Sequence, residues 1–206
     1  MSRLSFVVPL VILLSAAAMA QELSPIALPE PQMDGGKPLM QALKERASQR
    51  DFASDPLPPQ VLSNLLWAAW GINRPESGKR TAPSPKDRQE MDVYVALPGG
   101  LYLYKAKENS LKPVVPGDLR ALTGEQAFVG IAPVNLVYVS RGNADPVWSG
   151  ILAGLISENA SLFCASEGLA TVPRLSFKGE PLAKAMKLRS DQKIVLAQSV
   201  GYPRKR

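Results

Sequence analysis

An α+β fold is predicted by three features of the 206-residue sequence. Strand-like runs are either joined as a hairpin, as at residues 92–104, or separated from one another by helical periodicity. A long apolar stretch over 147–166 reads as one helix, and shorter amphipathic helices precede and follow it. Gly and Pro clusters punctuate the chain at the boundaries between these runs. Helices outnumber strands in this reading.

Residues 21–36 carry prolines at 25, 29 and 31 and end in Asp34-Gly35-Gly36, the pattern of an extended lead-in strapped across a surface. Leu39, Leu43 and the alanines about them predict a first helix over 38–47. Pro58-Pro59 starts a second, with Val61, Leu62, Leu65, Leu66, Ala69 and Trp70 on helical spacing and Gly71 placed to end it. Residues 72–88, rich in Arg, Lys, Pro and Ser, predict a functional loop. Pro98-Gly99-Gly100 joins strands at 92–97 and 101–104, and short helical turns are expected within 117–130. Val134 to Val139 is almost continuously apolar, as a central strand should be. The helix at 147–166 is long enough to invite a membrane reading. Ser157-Glu158-Asn159 interrupt its middle, so it is expected to be a buried core or interface helix. A strand at 169–173, a helix at 180–188 and a strand at 193–199 complete the chain.

Residues 1–20 read as a secretory signal: Arg3, an apolar Leu4–Leu14, and Ala18-Met19-Ala20 as the cleavage site before Gln21. The alternative is an uncleaved N-terminal anchor. Cleavage predicts a periplasmic or secreted protein with no stable membrane insertion, and leaves 186 residues, the lead-in over 21–36 and one domain over 37–206. Cys164 is the single cysteine, in the setting of a buried small hydrophobe. With no histidine in the sequence, Ser-His-Asp and Cys-His catalysis and histidine metal sites are excluded, and no metal is expected. The 24 Lys+Arg exceed the 18 Asp+Glu, but the cations are dispersed and no nucleic-acid motif accompanies them. No nucleic-acid partner is predicted.

Two short clusters carry the chemistry. Arg46-Ala47-Ser48-Gln49-Arg50 sets two guanidiniums and a hydroxyl on alternate residues, which an extended backbone points to one side. Arginine forks bind phosphate oxygens in pairs, and a hydroxyl adds a donor; arginines at a helix end are also often merely solvated. Pro83-Ser84-Pro85-Lys86-Asp87-Arg88-Gln89 is a proline-fixed polar loop leading into a strand, able to offer partners to a planar polar ring. Together, in this order, the clusters resemble the nitroreductase family of flavin enzymes. There an R-x-S-x-[KR] cluster holds FMN, and a P-S-x-x-x-x-Q loop reaches the same flavin from the partner subunit. Arg80–Ser84, Asp92–Val95, Gly100–Tyr104, Gly117–Arg120, Ala132–Val134, Asn159, Glu167–Leu169, Thr171–Pro173 and Gly201–Pro203 follow the order of the thiazole/oxazole-forming dehydrogenase branch. The resemblance spans roughly 37–203.

It implies a mixed central sheet flanked by helices and a homodimer with FMN at the interface. Arg46 and Ser48, with Ala47 between them, are implied at the phosphate and ribityl side, and Arg50 at the N1–O2 edge of the ring. Pro83, Ser84 and Asp87 are implied to come from the other subunit. Pro173, Arg174 and Leu175 fall where the family offers backbone groups near N5, and Lys205 where basic C-terminal residues complete the phosphate site. The chain departs from the pattern in its short C-terminal arm, in Asp87 for an asparagine, and in Leu175 for a glutamate. Export conflicts with the use of NAD(P)H, so a quinol, thiol or protein electron donor is expected. The leading expectation is an exported FMN-dependent oxidoreductase moving two electrons to a small-molecule or peptide substrate. Two others stay open: a non-catalytic binding or accessory protein on the same scaffold, and an azoline dehydrogenase of peptide natural-product maturation.

Overall fold

The structure, a computed structural model, describes residues 23–142 and 144–205; the expected export segment, 1–20, lies outside them. The described chain runs β1 (Ile26–Ala27), α1 (Leu39–Glu45), α2 (Pro59–Trp70), β2 (Ile72–Arg74), β3 (Lys79–Arg80), β4 (Met91–Leu97), β5 (Gly100–Lys105) and β6 (Ser110–Pro116). It continues with α3 (Phe128–Ile131), β7 (Val134–Ser140), α4 (Pro146–Glu167), β8 (Ala170–Arg174), α5 (Gly179–Ala185) and β9 (Lys193–Gly201). Strands therefore outnumber helices among the described residues, against expectation. The reasons are β6, whose Pro113 and Pro116 hide the alternation, and the β2–β3 hairpin inside the segment expected to be loop.

Seven strands form one sheet in the order β1-β6-β5-β4-β7-β9-β8, with antiparallel neighbours throughout. The parallel pairing that makes the sheet mixed is a bridge from Ser48 to Thr171, outside the named strands. β7 lies between β4 and β9 and is buried on both faces, which explains its unbroken apolar run. Leu136 and Tyr138 face α2 and α4, packing with Leu65, Leu66, Ile156 and Ala160; Val137 and Val139 face α5, packing with Leu182 and Met186. This alternation is the period-2 rule applied to a strand covered twice.

The long helix α4 is held at both ends. Asp145 accepts from the backbone N–H groups of Val147 and Trp148 at 2.9 and 3.1 Å, with Pro146 in the first turn. Gly168 terminates it at φ 70°, a left-handed conformation that favours glycine. Ser157 and Ser161, which break its hydropathy, are buried. Gln198 Nε2 donates to Ser157 O at 3.3 Å, Ser161 Oγ at 3.2 Å and Thr171 Oγ1 at 2.9 Å. Tyr138 donates its hydroxyl to Gln198 Oε1, so α4, β7, β8 and β9 share one satisfied polar network.

Candidate functional site

One edge of the sheet gathers most of the residues singled out in the sequence. α1 ends at Arg46, whose N–H donates to Ala42 O at 2.8 Å. The chain then runs extended beside β8, with Ser48 bridged in parallel to Thr171 and Gln49 N donating to Thr171 O at 2.9 Å. This segment forms an outer rung that leads toward Pro173. After β9 the chain turns back along it: Phe52 bridges Pro203, Ala53 N donates to Tyr202 O, and Arg204 N donates to Asp51 O. The same antiparallel register sets Lys205 opposite Arg50. Sequence positions 46–50, 173–175 and 205 thus meet at one place through two short non-local pairings.

Arg46, Ala47, Ser48, Arg50 and Lys205 are all exposed there. Arg46 has a loose ion pair, Nε to Glu158 Oε1 at 3.8 Å with both side chains well hydrated, and such a pair is worth little. Its guanidinium is available to a stronger anion. Phe52 packs beneath the segment against Phe128, ring centroids 5.7 Å apart, beside Ala170 and Val172.

Arg174 differs from the other cations. Alternation along β8 turns its side chain inward, and it is 7% exposed. It donates to the Thr123 carbonyl, to Asn135 Oδ1 at 2.7 Å, and to Ser199 Oγ from Nη2 at 3.0 Å and Nε at 3.3 Å. Burial pushes its pKa down to about 10, which still leaves a cation at neutral pH. Its partners are neutral, so this side chain ties β7, β9 and the turn at 120–123 to β8. Only its backbone is at hand for a ligand at the β8 edge. Leu175, next in sequence, is 71% exposed.

Pro83, Ser84 and Asp87 lie elsewhere in the same chain, on the loop between β3 and β4. Among the described residues, no hydrogen bond or ion pair joins this loop to the Arg46–Arg50 segment. The loop is built around Gln89, a motif residue whose organising role the sequence did not reveal. Gln89 N donates to Ser84 Oγ at 3.1 Å, and Gln89 Nε2 donates to Gly78 O and Asp87 Oδ1. Its side-chain oxygen accepts from Arg80 Nε, and its carbonyl accepts from Arg141 Nη2, both at 2.6 Å. Lys86, Asp87 and Gln89 adopt φ of 51°, 53° and 50°, left-handed conformations uncommon outside glycine. Three in four residues mark a loop held in a costly shape, as binding loops often are. It borders a cleft of about 270 Å³ shared with Arg74, Lys79 and Arg80.

The nitroreductase family model matches residues 43–202. A Ralstonia eutropha JMP134 crystal structure assigned as a nitroreductase superposes with TM-score 0.84 at 44% identity, over 88% of this chain and 90% of that one. A chain of the Escherichia coli microcin synthetase McbBCD complex with truncated pro-MccB17 bound gives TM-score 0.67 at 17% identity, over 98% of this chain and 85% of that one. A Desulfovibrio desulfuricans structure assigned as a nitroreductase in complex with FMN gives 0.62 at 19%, over 82% and 88%. At the two lower identities the likeness is one of fold.

Proposed function

Because the chain belongs to the nitroreductase family, we propose that it is an FMN-dependent oxidoreductase, exported and active as a homodimer. The observation that carries this reading is the meeting of Arg46, Ser48, Arg50, Pro173–Leu175 and Lys205 at the β8 edge. The donor chemistry fits FMN: a guanidinium, a hydroxyl and an ammonium for the phosphate side and a second guanidinium for the ring, all exposed, with one loose counter-ion among them. Arg46 and Ser48 would hold the phosphate and ribityl side, and the Lys205 ammonium, whose backbone lies opposite Arg50, would reach back along the segment toward them. Arg50 would face the ring, where a fixed cation makes reduction easier. FMN, when bound, supplies two-electron transfer by accepting and giving up a hydride equivalent.

A homodimer is supported by an apolar face that one chain leaves open. Val147, Trp148, Ile151 and Leu155 are exposed at helical spacing on the first half of α4, and Leu39, Met40 and Leu43 are exposed on α1, which packs along its second half. Three to four such residues on each element exceed the scatter normal for a monomer surface. The 83–87 loop borders this face, as a loop shared with a partner subunit would. Trp148 lies against that loop's base, lining a crevice with Pro85, Arg88 and Gln89.

Export through residues 1–20 would place the enzyme away from NAD(P)H, so its reductant would be a quinol, a thiol or a protein. The motif order of the azole-forming branch supports a second reading, oxidation of azolines in a peptide. Co-purification with a cyclodehydratase would distinguish it from the first. The test of both is the visible spectrum of the mature protein purified with and without added FMN. A flavin spectrum retained through gel filtration is expected. A chain that retains none in either preparation is a scaffold without a cofactor, and the oxidoreductase reading fails.

A further inference from the structure

The central sheet is split at one end. β4 and β5 pair from Leu97–Gly100 to Tyr94–Leu103 and no further. Beyond that point β4 continues through Val93, Asp92 and Met91 against β7, while β5 continues through Tyr104 and Lys105 against β6. An unbroken ladder would set Val93 against Tyr104 and Asp92 against Lys105. A cleft of about 230 Å³ opens there instead, reaching Trp70, Arg80 and Arg141.

Two guanidiniums occupy the opening. Arg80 lies over the Trp70 ring, 4.7 Å from its centroid, and donates to Trp70 O at 2.7 Å and to Gln89 Oε1 at 2.6 Å. Arg141, just after β7, donates Nη2 to Gln89 O. Its Nε is buried without a hydrogen-bond acceptor among the described residues, 3.4 Å from Asp92 Oδ1. That ion pair leaves Nε without an aligned hydrogen bond, and buried polar groups almost always have one, so a better-placed acceptor from outside the chain would complete it.

The local charge has the sign such an acceptor needs. Arg80, Arg141, Lys105 and Lys107 line the cleft against two carboxylates, Asp92 and the exposed Glu108. Asp92 is half committed already: its Oδ2 accepts from Gln192 Nε2 at 3.3 Å, and burial raises its pKa despite Arg141, Lys105 and Arg189 nearby. Met91, Val93 and Leu103 add apolar surface to its border. Planar guanidinium forks suit carboxylate and phosphate, and lysines at a mouth attract them from solution.

We propose that the split between β4 and β5 binds a small organic oxyanion, a carboxylate or a phosphate monoester, held by Arg80 and Arg141 and attracted by Lys105 and Lys107. This site is separate from the β8 edge. β7 and β9 lie between β4 and β8, so the two are roughly 15–20 Å apart at the usual strand spacing. The proposal does not depend on FMN.

The test is an equilibrium titration of the purified mature protein at constant ionic strength, read by thermal midpoint and tryptophan fluorescence. The probes are inorganic phosphate and, separately, benzoate. A saturable response to at least one is expected, and which one responds identifies the class. Arg141→Gln should weaken it roughly tenfold or more, the loss expected for a charged hydrogen bond, while Lys184→Gln, at an exposed position outside both this cleft and the β8 edge, should leave it unchanged. Lys105→Gln combined with Lys107→Gln, at two exposed positions, should also weaken it, and carries the test if Arg141→Gln fails to fold. The proposal is overturned by no saturable response to either probe, by a response that survives both sets of substitutions, or by one lost equally in Lys184→Gln.

Discussion

Arg46→Ala separates a phosphate-binding arginine from a solvated one. In the free chain Arg46 has a hydrated ion pair with Glu158 at 3.8 Å, worth about 0–0.5 kcal/mol. Removing the side chain should therefore leave folding nearly unchanged, and giving up Glu158 takes little from a new contact. A charge-assisted contact to phosphate contributes about 1.5–3 kcal/mol. The net loss on deletion is then roughly 1–3 kcal/mol, or about five- to 150-fold in the FMN dissociation constant. Riboflavin has the same ring and ribityl chain without the phosphate, so its affinity should change much less. Fluorescence-quenching titrations of wild type and Arg46→Ala with both flavins give the four constants needed, with circular dichroism as the check on folding. Equal losses for FMN and riboflavin in a native-like variant would refute the assignment of Arg46 to the phosphate. Arg50→Ala tests the ring assignment differently. Loss of a nearby cation should lower the reduction potential of bound FMN by on the order of 20 mV, about 1 kcal/mol for two electrons, with a smaller change in affinity.

Trp148→Glu places a charge in the exposed face of α4 and should convert a dimer to monomer in sedimentation velocity; a wild-type monomer at micromolar concentration would remove the dimer reading. Gly201→Ala sets a methyl group 2.5 Å from Pro133 Cδ, an overpacking expected to cost about 1–3 kcal/mol and to lower Tm by roughly 2–12 °C. Burial pushes both the Cys164 thiol and the Tyr104 phenol up to about 12. Each keeps its proton to higher pH in the folded than in the unfolded chain, so folding stability should fall as pH rises from about 9 to 12, by on the order of 5 kcal/mol for the two together. Denaturant titrations across that range check the sign, and Cys164 should stay unreactive to thiol reagents until urea unfolds the protein. Terminal sequencing of the native protein should find Gln21 first; Met1 or Ser2 throughout would contradict cleavage.

The elements encoded locally are the ones legible in the sequence. α2, the β4–β5 hairpin, β7 and α4 lie where hydrophobic period and turn residues place them, because burial of one face or two leaves a pattern within a dozen residues. β6 was not legible: Pro113 and Pro116 and an exposed Lys112 interrupt its alternation. Pro113 is accommodated next to the irregularity between Leu101 and Tyr102, and Pro116 ends the strand. The β2–β3 hairpin is short and exposed apart from Ile72 and Arg80, so no apolar period announces it.

At the site, sequence alone determined which residue types were present and the spacing that pairs Arg46, Ser48 and Arg50 on one side of an extended segment. It also excluded histidine chemistry outright. Tertiary structure decided what meets what. The Ser48–Thr171 and Phe52–Pro203 bridges join segments more than 120 residues apart, and no local pattern records such pairings. It likewise turned Arg174 inward and left Arg50 outward, although both are arginines on extended chain. The difference is the register of β8: Arg174 continues the buried face of Ala170 and Val172, where Thr123, Asn135 and Ser199 supply acceptors. Side-chain chemistry is a property of the residue, whereas burial and partnership belong to the packed sheet, and only folding supplies them.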